Sequence, residues 1–191
     1  LSSSSAASDV YKRQDVYMPI DTDELGKSIG QKQINVNALL SGINISDLPE
    51  LPVMSDFKYL SIMSILQSMI SSSITTNYTL FLWVLLTQIE LCLEHGNAPE
   101  SAVVYAYYGM TLCSSNEYLE MGYKFGNISL NLLERNNFFV NESLVIFMYY
   151  GMIFHWKEYM GNSMVEERLI YATYKGIDSG DYESASYAAI T

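Results

Sequence analysis

The residues best suited to chemistry are few. Two histidines, His95 and His155, and two cysteines, Cys92 and Cys113, are the histidine and cysteine ligands the chain could offer a zinc ion. Cys92 and His95 stand three apart, a spacing that puts both on one helix face, yet no nearby residue supplies the further ligands a zinc site needs. The apolar surroundings of both cysteines predict reduced packing residues rather than a disulfide. His95 precedes Gly96 at a predicted helix end, where a cation meets the negative pole of the helix. His155 is followed by Trp156, where a phosphoacceptor histidine has an acid, so a packing or loop-bonding role is expected. Gly26-Lys27-Ser28 has the ending of a phosphate-binding loop. The glycine needed five residues earlier is replaced by Asp21, whose charge repels phosphate instead of cradling it. No kinase signature with a catalytic Asp or an Asp-Phe-Gly metal site occurs. No order of Ser, His and Asp marks a hydrolase. No catalytic, cofactor-binding or metal-binding residue is therefore assigned.

Charge narrows the partners. Acids outnumber Lys and Arg 21 to 10, giving a formal net charge of −11. That excess opposes nucleic acid or an anionic membrane as the main partner. The apolar content of 49% supports a sizeable core and excludes disorder. The longest apolar run, Leu80 to Leu86, is far shorter than a membrane span, and no secretory signal is visible, so a cytoplasmic location is expected. Four Asn-x-Ser/Thr sequons, at Asn44, Asn77, Asn127 and Asn141, read as chance in a chain rich in Asn and Ser.

The elements that would carry these residues are helical. Leu1 to Gln14 lacks an apolar period and resembles a translated sequencing-adapter remnant, so residues 1–14 are read as non-native. Residues 15–54 form a weakly patterned lead-in with a short helix around Ile34 to Leu40, closed by Pro49 and Pro52. From residue 55 to 191, seven helices follow. The first starts at Ser55-Asp56 and the second runs from Asn77 to Glu94, stopped by Gly96. The third begins by Pro99 and continues to Cys113, and the fourth runs from Ser114 to Asn136. Asn141 is expected to cap the fifth, which runs to Met160 and stops at Gly161. The sixth starts at Ser163 with capping-box spacing to Glu166 and ends at Gly180. A seventh starts at Asp181 and is cut by the chain end, as in a fragment. No strand pattern follows residue 55, so the fold class is all-α.

One pattern recurs. Tyr105, Tyr108, Gly109 and Leu112 form an aromatic-x-x-Tyr-Gly-x-x-apolar series, and Phe147, Tyr150, Gly151 and Phe154 repeat it 42 residues later. A mid-helix glycine costs about 1 kcal/mol against alanine, so two at equivalent places imply a shared reason, the close approach of the next helix. Gly122 and Ser129, seven apart, provide small residues on that helix. The series has the form of the first helix of a tetratricopeptide (TPR) repeat, although its period exceeds the about 34 residues of that repeat and lies in the HEAT-like range. A TPR-like stack of antiparallel helical hairpins, an α-solenoid, is the expected architecture; an ordinary helical bundle is the alternative.

Residues 42 to 191 also resemble a region of large multi-sensor signalling kinases. The resemblance rests on Ile45-Ser46-Asp47-Leu48-Pro49-Glu50-Leu51-Pro52, His95-Gly96-Asn97-Ala98-Pro99-Glu100-Ser101-Ala102 and Tyr123-Lys124-Phe125-Gly126-Asn127. It is carried further by Leu130-Asn131-Leu132-Leu133-Glu134-Arg135, Phe154-His155-Trp156-Lys157-Glu158 and Gly180-Asp181-Tyr182-Glu183. Such proteins join a serine/threonine kinase, an AAA/NACHT-like ATPase, helical repeats, a GAF sensor and often a histidine kinase. The resemblance implies the repeat region between ATPase and sensor, without catalysis of its own. The expected function is a scaffold that couples other domains of the same protein or holds a peptide; a free-standing TPR-type adaptor is the alternative. In a stacked superhelix the first helix of each pair lines the concave face, which would place some of Tyr105, Tyr108, Tyr149 and Tyr150 there. The same tyrosines equally suit the core.

Overall fold

The structure, a computed structural model, describes residues 16–19, 21–136, 141–157 and 163–191. The remnant read at residues 1–14 and the stop read at Gly161 lie outside them. The chain is all-α. Among the described residues there is no strand, only one isolated parallel bridge between Val53 and Asn97.

The described residues form eight α-helices in order: α1 (Thr22–Ser41), α2 (Phe57–Thr76), α3 (Tyr78–His95), α4 (Ser101–Cys113), α5 (Leu119–Asn136), α6 (Glu142–Phe147), α7 (Ser163–Ser179) and α8 (Tyr182–Ile190). Short polar side chains start several of them by accepting orphan backbone N–H groups. Asp56 accepts from Lys58 N, Asn77 from Leu80 N at 3.1 Å, and Asp181 from Ser184 N. Asn77 also donates its own N–H to Ser73 O, so one residue both ends α2 and starts α3.

α3 is the centre of the first half. It is buried almost all round, from Phe81 and Trp83 to Ile89 and Cys92, and is flanked by α1 and α2. Burying each such large side chain contributes about 1.5–3 kcal/mol. α1 is much longer than the short helix expected at Ile34 to Leu40, and the reason is partly polar. Only Leu25 and Val36 are buried on it. Besides Leu25 and Val36, with Ile29, Leu39 and Leu40 packed partly buried against the core, α1 is tied to α3 by Trp83 Nε1 donating to Ser28 Oγ at 3.1 Å, Asn35 donating to Glu90 at 3.1 Å, and Lys32 paired with Glu90.

The link from α3 to α4 is tied back to the segment before α2. Asn97 N donates to Pro52 O at 2.8 Å, and Met54 N donates to Asn97 O at 2.9 Å. Gly96 has φ of 95°, and a Cβ there would lie 2.1 Å from Pro52 O, so only glycine fits. Asn97 is fully buried and its side chain is satisfied at both ends: Nδ2 donates to Leu48 O, and Oδ1 accepts from Tyr105 Oη.

Among the described residues α4 and α5 make the most extensive helix contact. A Cβ at Gly109 would stand 2.8 Å from Gly122 O and 3.1 Å from Gly126 N, and one at Gly122 would stand 2.6 Å from Gly109 O. Here the expected backbone contact is present. It is absent at Gly151, whose nearest neighbours are ring carbons of Phe147 at 3.1 Å and Thr191 Cγ2 at 3.2 Å. The two glycines do not share one reason.

The fifth helix of the sequence reading departs in two further ways. Asn141 does not cap it: its φ is 62° and its side chain makes no capping bond. After Phe147 the backbone widens into a π-helix over Met148–Ile153, then tightens to a 3-10 turn at Phe154–Trp156. The N–H of Phe154 reaches back five residues to Tyr149 O. The widening gathers Tyr149, Tyr150 and Phe154 into one cluster, with ring centroids 4.9 to 5.9 Å apart. Beyond it, α7 and α8 pack together, and α7 shows Ile170 and Tyr174 outward, 57% and 64% exposed.

Candidate functional site

None of the residues first considered for chemistry forms a reactive centre. Gly26, Lys27 and Ser28 lie inside α1 rather than in a loop, and Asp21 is its N-cap, accepting from Asp23 N at 2.9 Å. Cys92 and Cys113 are free and buried. Burial pushes the Cys92 thiol up to about 12, so it stays neutral at physiological pH; its Sγ lies 3.0 Å from Ser101 Oγ. His95 stacks on Tyr59 with ring centroids 3.6 Å apart, and His155 lies beside Trp156. No group of three or more His, Cys, Asp and Glu able to hold a metal occurs among the described residues. Three sequon asparagines do structural work: Asn44 accepts from Ser46 N, Asn77 caps α3, and Asn127 accepts from Tyr149 Oη at 3.0 Å.

The four tyrosines expected on a concave face are all buried. Tyr105 is fully enclosed beside Asn97 and Phe125, and burial raises its hydroxyl well above the ordinary tyrosine range. Tyr149 and Tyr150 belong to the aromatic cluster of the π-segment. Tyr108 reaches a hollow. With Phe125, Leu112 and Met121 it walls a space of about 640 Å³ beneath Gln33, Asn37 and Leu40 of α1, and Gln33 Nε2 lies 3.4 Å from its Oη.

A second concavity is built differently, from α2, α4, α6 and α8. It consists of two adjoining hollows of about 340 and 290 Å³ that share Ser71, Tyr107, Leu144, Glu183 and Tyr187 as walls. The first hollow is polar, with Gln67, Ser64 and Ser68 from α2, Glu100 ahead of α4, and Asp181 and Ser184 at the start of α8. The second is apolar, with Ile74, Met110, Phe147, Met148 and Met152. All charged residues in the two linings are acidic. Burial raises the Glu100 carboxyl above the usual glutamate range, and its Oε2 accepts no hydrogen bond. Tyr107 stands between the hollows, its hydroxyl raised by burial and then by the Glu183 carboxylate.

Tyr107 was missed because the Tyr-Gly repeat draws attention to its neighbour Tyr108. A usable signal was present, since Glu100, Tyr107 and Met110 lie seven and three apart and so share one helix face. No helix among the described residues is long and apolar enough to cross a membrane. Comparison of the chain with protein-family models, with curated proteins and with solved structures finds no match.

Proposed function

We propose that this chain is a non-catalytic helical-repeat scaffold, a TPR-like stack of antiparallel hairpins, which couples the domains of a cytoplasmic multi-sensor signalling kinase bearing an ATPase. The observation that carries this reading is the groove along α2, α4, α6 and α8, because a concavity walled by every second helix is what a stack of hairpins generates. The α4–α5 pair supports it further. Cys113 lies against Gly122, Gly109 against Gly122 and Gly126, and Tyr105 against Phe125, so contacts advance along one helix as they retreat along the other.

The other function that the sequence allows is a free-standing adaptor that clamps a carboxylate-ended peptide. Such a clamp needs cations, and among the described residues neither hollow of the groove is lined by Lys or Arg. The deciding experiment is to read the complete reading frame around this chain. Kinase, ATPase or GAF sequences on its flanks are the expected result. A frame without any of them overturns the coupling role and favours the adaptor.

A further inference from the structure

We propose that the groove along α2, α4, α6 and α8 docks a basic, amphipathic segment of a partner protein. Its Lys or Arg side chains would meet Glu100, Asp181 and Glu183 in the polar hollow, while its apolar side chains fill the hollow walled by Met110, Phe147 and Met152. This inference rests on the reading of the chain as a docking scaffold.

Charge complementarity selects this occupant. Among the described residues the groove walls carry carboxylates and no cation, within a chain of net charge −11, so an acidic partner would be repelled and a cationic one steered in. Glu100 strengthens the choice, since one of its oxygens is shielded from water and accepts no hydrogen bond. A carboxylate held that way is costly until a cation or donor reaches it. The neighbouring hollow answers the other half of the partner. Methionines are unbranched and adapt to varied apolar shapes, and Met110, Met148 and Met152 line it together with Phe147. A wholly hydrophilic cation would leave that wall unused.

The test uses the whole chain and three synthetic helical peptides of one length, read by fluorescence anisotropy. One carries Lys and Leu at helical spacing, one Glu and Leu, and one Lys and Ser. The Lys/Leu peptide is expected to bind, to weaken with added salt, and to exceed the Lys/Ser peptide by about tenfold; the Glu/Leu peptide is expected not to bind. Glu100→Gln with Glu183→Gln is expected to weaken the Lys/Leu peptide at least about tenfold. Glu24→Gln with Glu117→Gln removes the same charge outside the groove walls and is expected to leave affinity within about twofold. Equal losses in the two double variants overturn the site, because general attraction to an acidic chain then explains the binding. No binding of the Lys/Leu peptide overturns the cationic partner. The scaffold reading fails separately, on the reading frame.

Discussion

Tyr-Tyr-Gly-Met occurs twice, at residues 107–110 and 149–152, and the two copies fold differently. In α4 the four residues continue a regular α-helix, and Gly109 is present because the backbone of α5 lies against it. In the second copy the same letters sit inside a π-helix, and Gly151 meets side chains only. The difference teaches that a repeated motif records a repeated face, whereas the backbone it produces depends on what packs there. Around Gly109 the neighbours are glycines, which permit backbone contact. Around Gly151 they are the Phe147 ring and the Thr191 methyl, which fill the same space with side chains.

Substituting the two glycines tests this contrast most severely. Gly109→Ala drives a Cβ into the backbone of Gly122 and Gly126, so a loss at or above the upper end of the about 1–3 kcal/mol typical of overpacking is expected. Gly151→Ala brings a Cβ to 3.1 Å from the Phe147 ring and 3.2 Å from Thr191 Cγ2, tighter than ordinary contact, and these side chains can shift by the few tenths of an ångström required. Its expected change is within about 1 kcal/mol, since alanine's helix propensity offsets the crowding. Urea melts of the two variants give the comparison directly, and equal losses would break it.

The tyrosine hydroxyls sharpen it at smaller scale. Tyr105→Phe leaves Asn97 Oδ1 without its Tyr105 partner in a fully buried site, an expected cost of about 1–3 kcal/mol. Tyr149→Phe releases the side chain of Asn127, which is exposed and can take water instead, so about 0.5–1.5 kcal/mol is expected. A reversed order in denaturant melts would show that the second copy, not the first, holds the tighter polar contact.

The smallest effect concerns Glu100, at the start of α4. Burial raises its folded pKa above the ordinary 4.5, so the folded chain holds the proton more tightly than the unfolded chain. This linkage favours folding at low pH and fades as pH rises from about 4.5 through the higher folded value. Glu100→Gln keeps the neutral shape at every pH. Its melting temperature relative to the parent should therefore rise between about pH 4 and pH 7. A difference that stays flat over that range would place Glu100 in water, and the groove floor with it.

Much of this was legible in the sequence, and the exceptions have physical causes. Asp56, Asn77, Gly96 and Asp181 mark helix ends because capping and positive φ are local demands met by particular side chains. Gly109 announced a close contact for the same reason. α1 was nearly invisible, since its apolar face of Leu25, Ile29, Val36, Leu39 and Leu40 is sparse and is supplemented by Ser28, Lys32 and Asn35 reaching α3, and periodicity detects only a dense stripe. The π-segment was invisible too, because it answers to Tyr149, Tyr150 and Phe154 meeting in space. The two hollows were not legible from the repeat: Tyr107 lines both of them, while Tyr105 and Tyr149 are core.

The clasp between Pro52 and Asn97 has a consequence for the order of folding. α2 and α3 are joined through Asn77 at one end, and at the other their flanking segments are fastened by the two backbone bonds across the clasp. Closing that ring brings together residues far apart in sequence, which is entropically costly until the intervening helices have paired. The ring therefore latches after the helix pair forms and opens only when it comes apart. Amide protons of Met54 and Asn97 should exchange with deuterium at one common, slow rate, set by cooperative release of this half of the molecule and not by fraying at either residue.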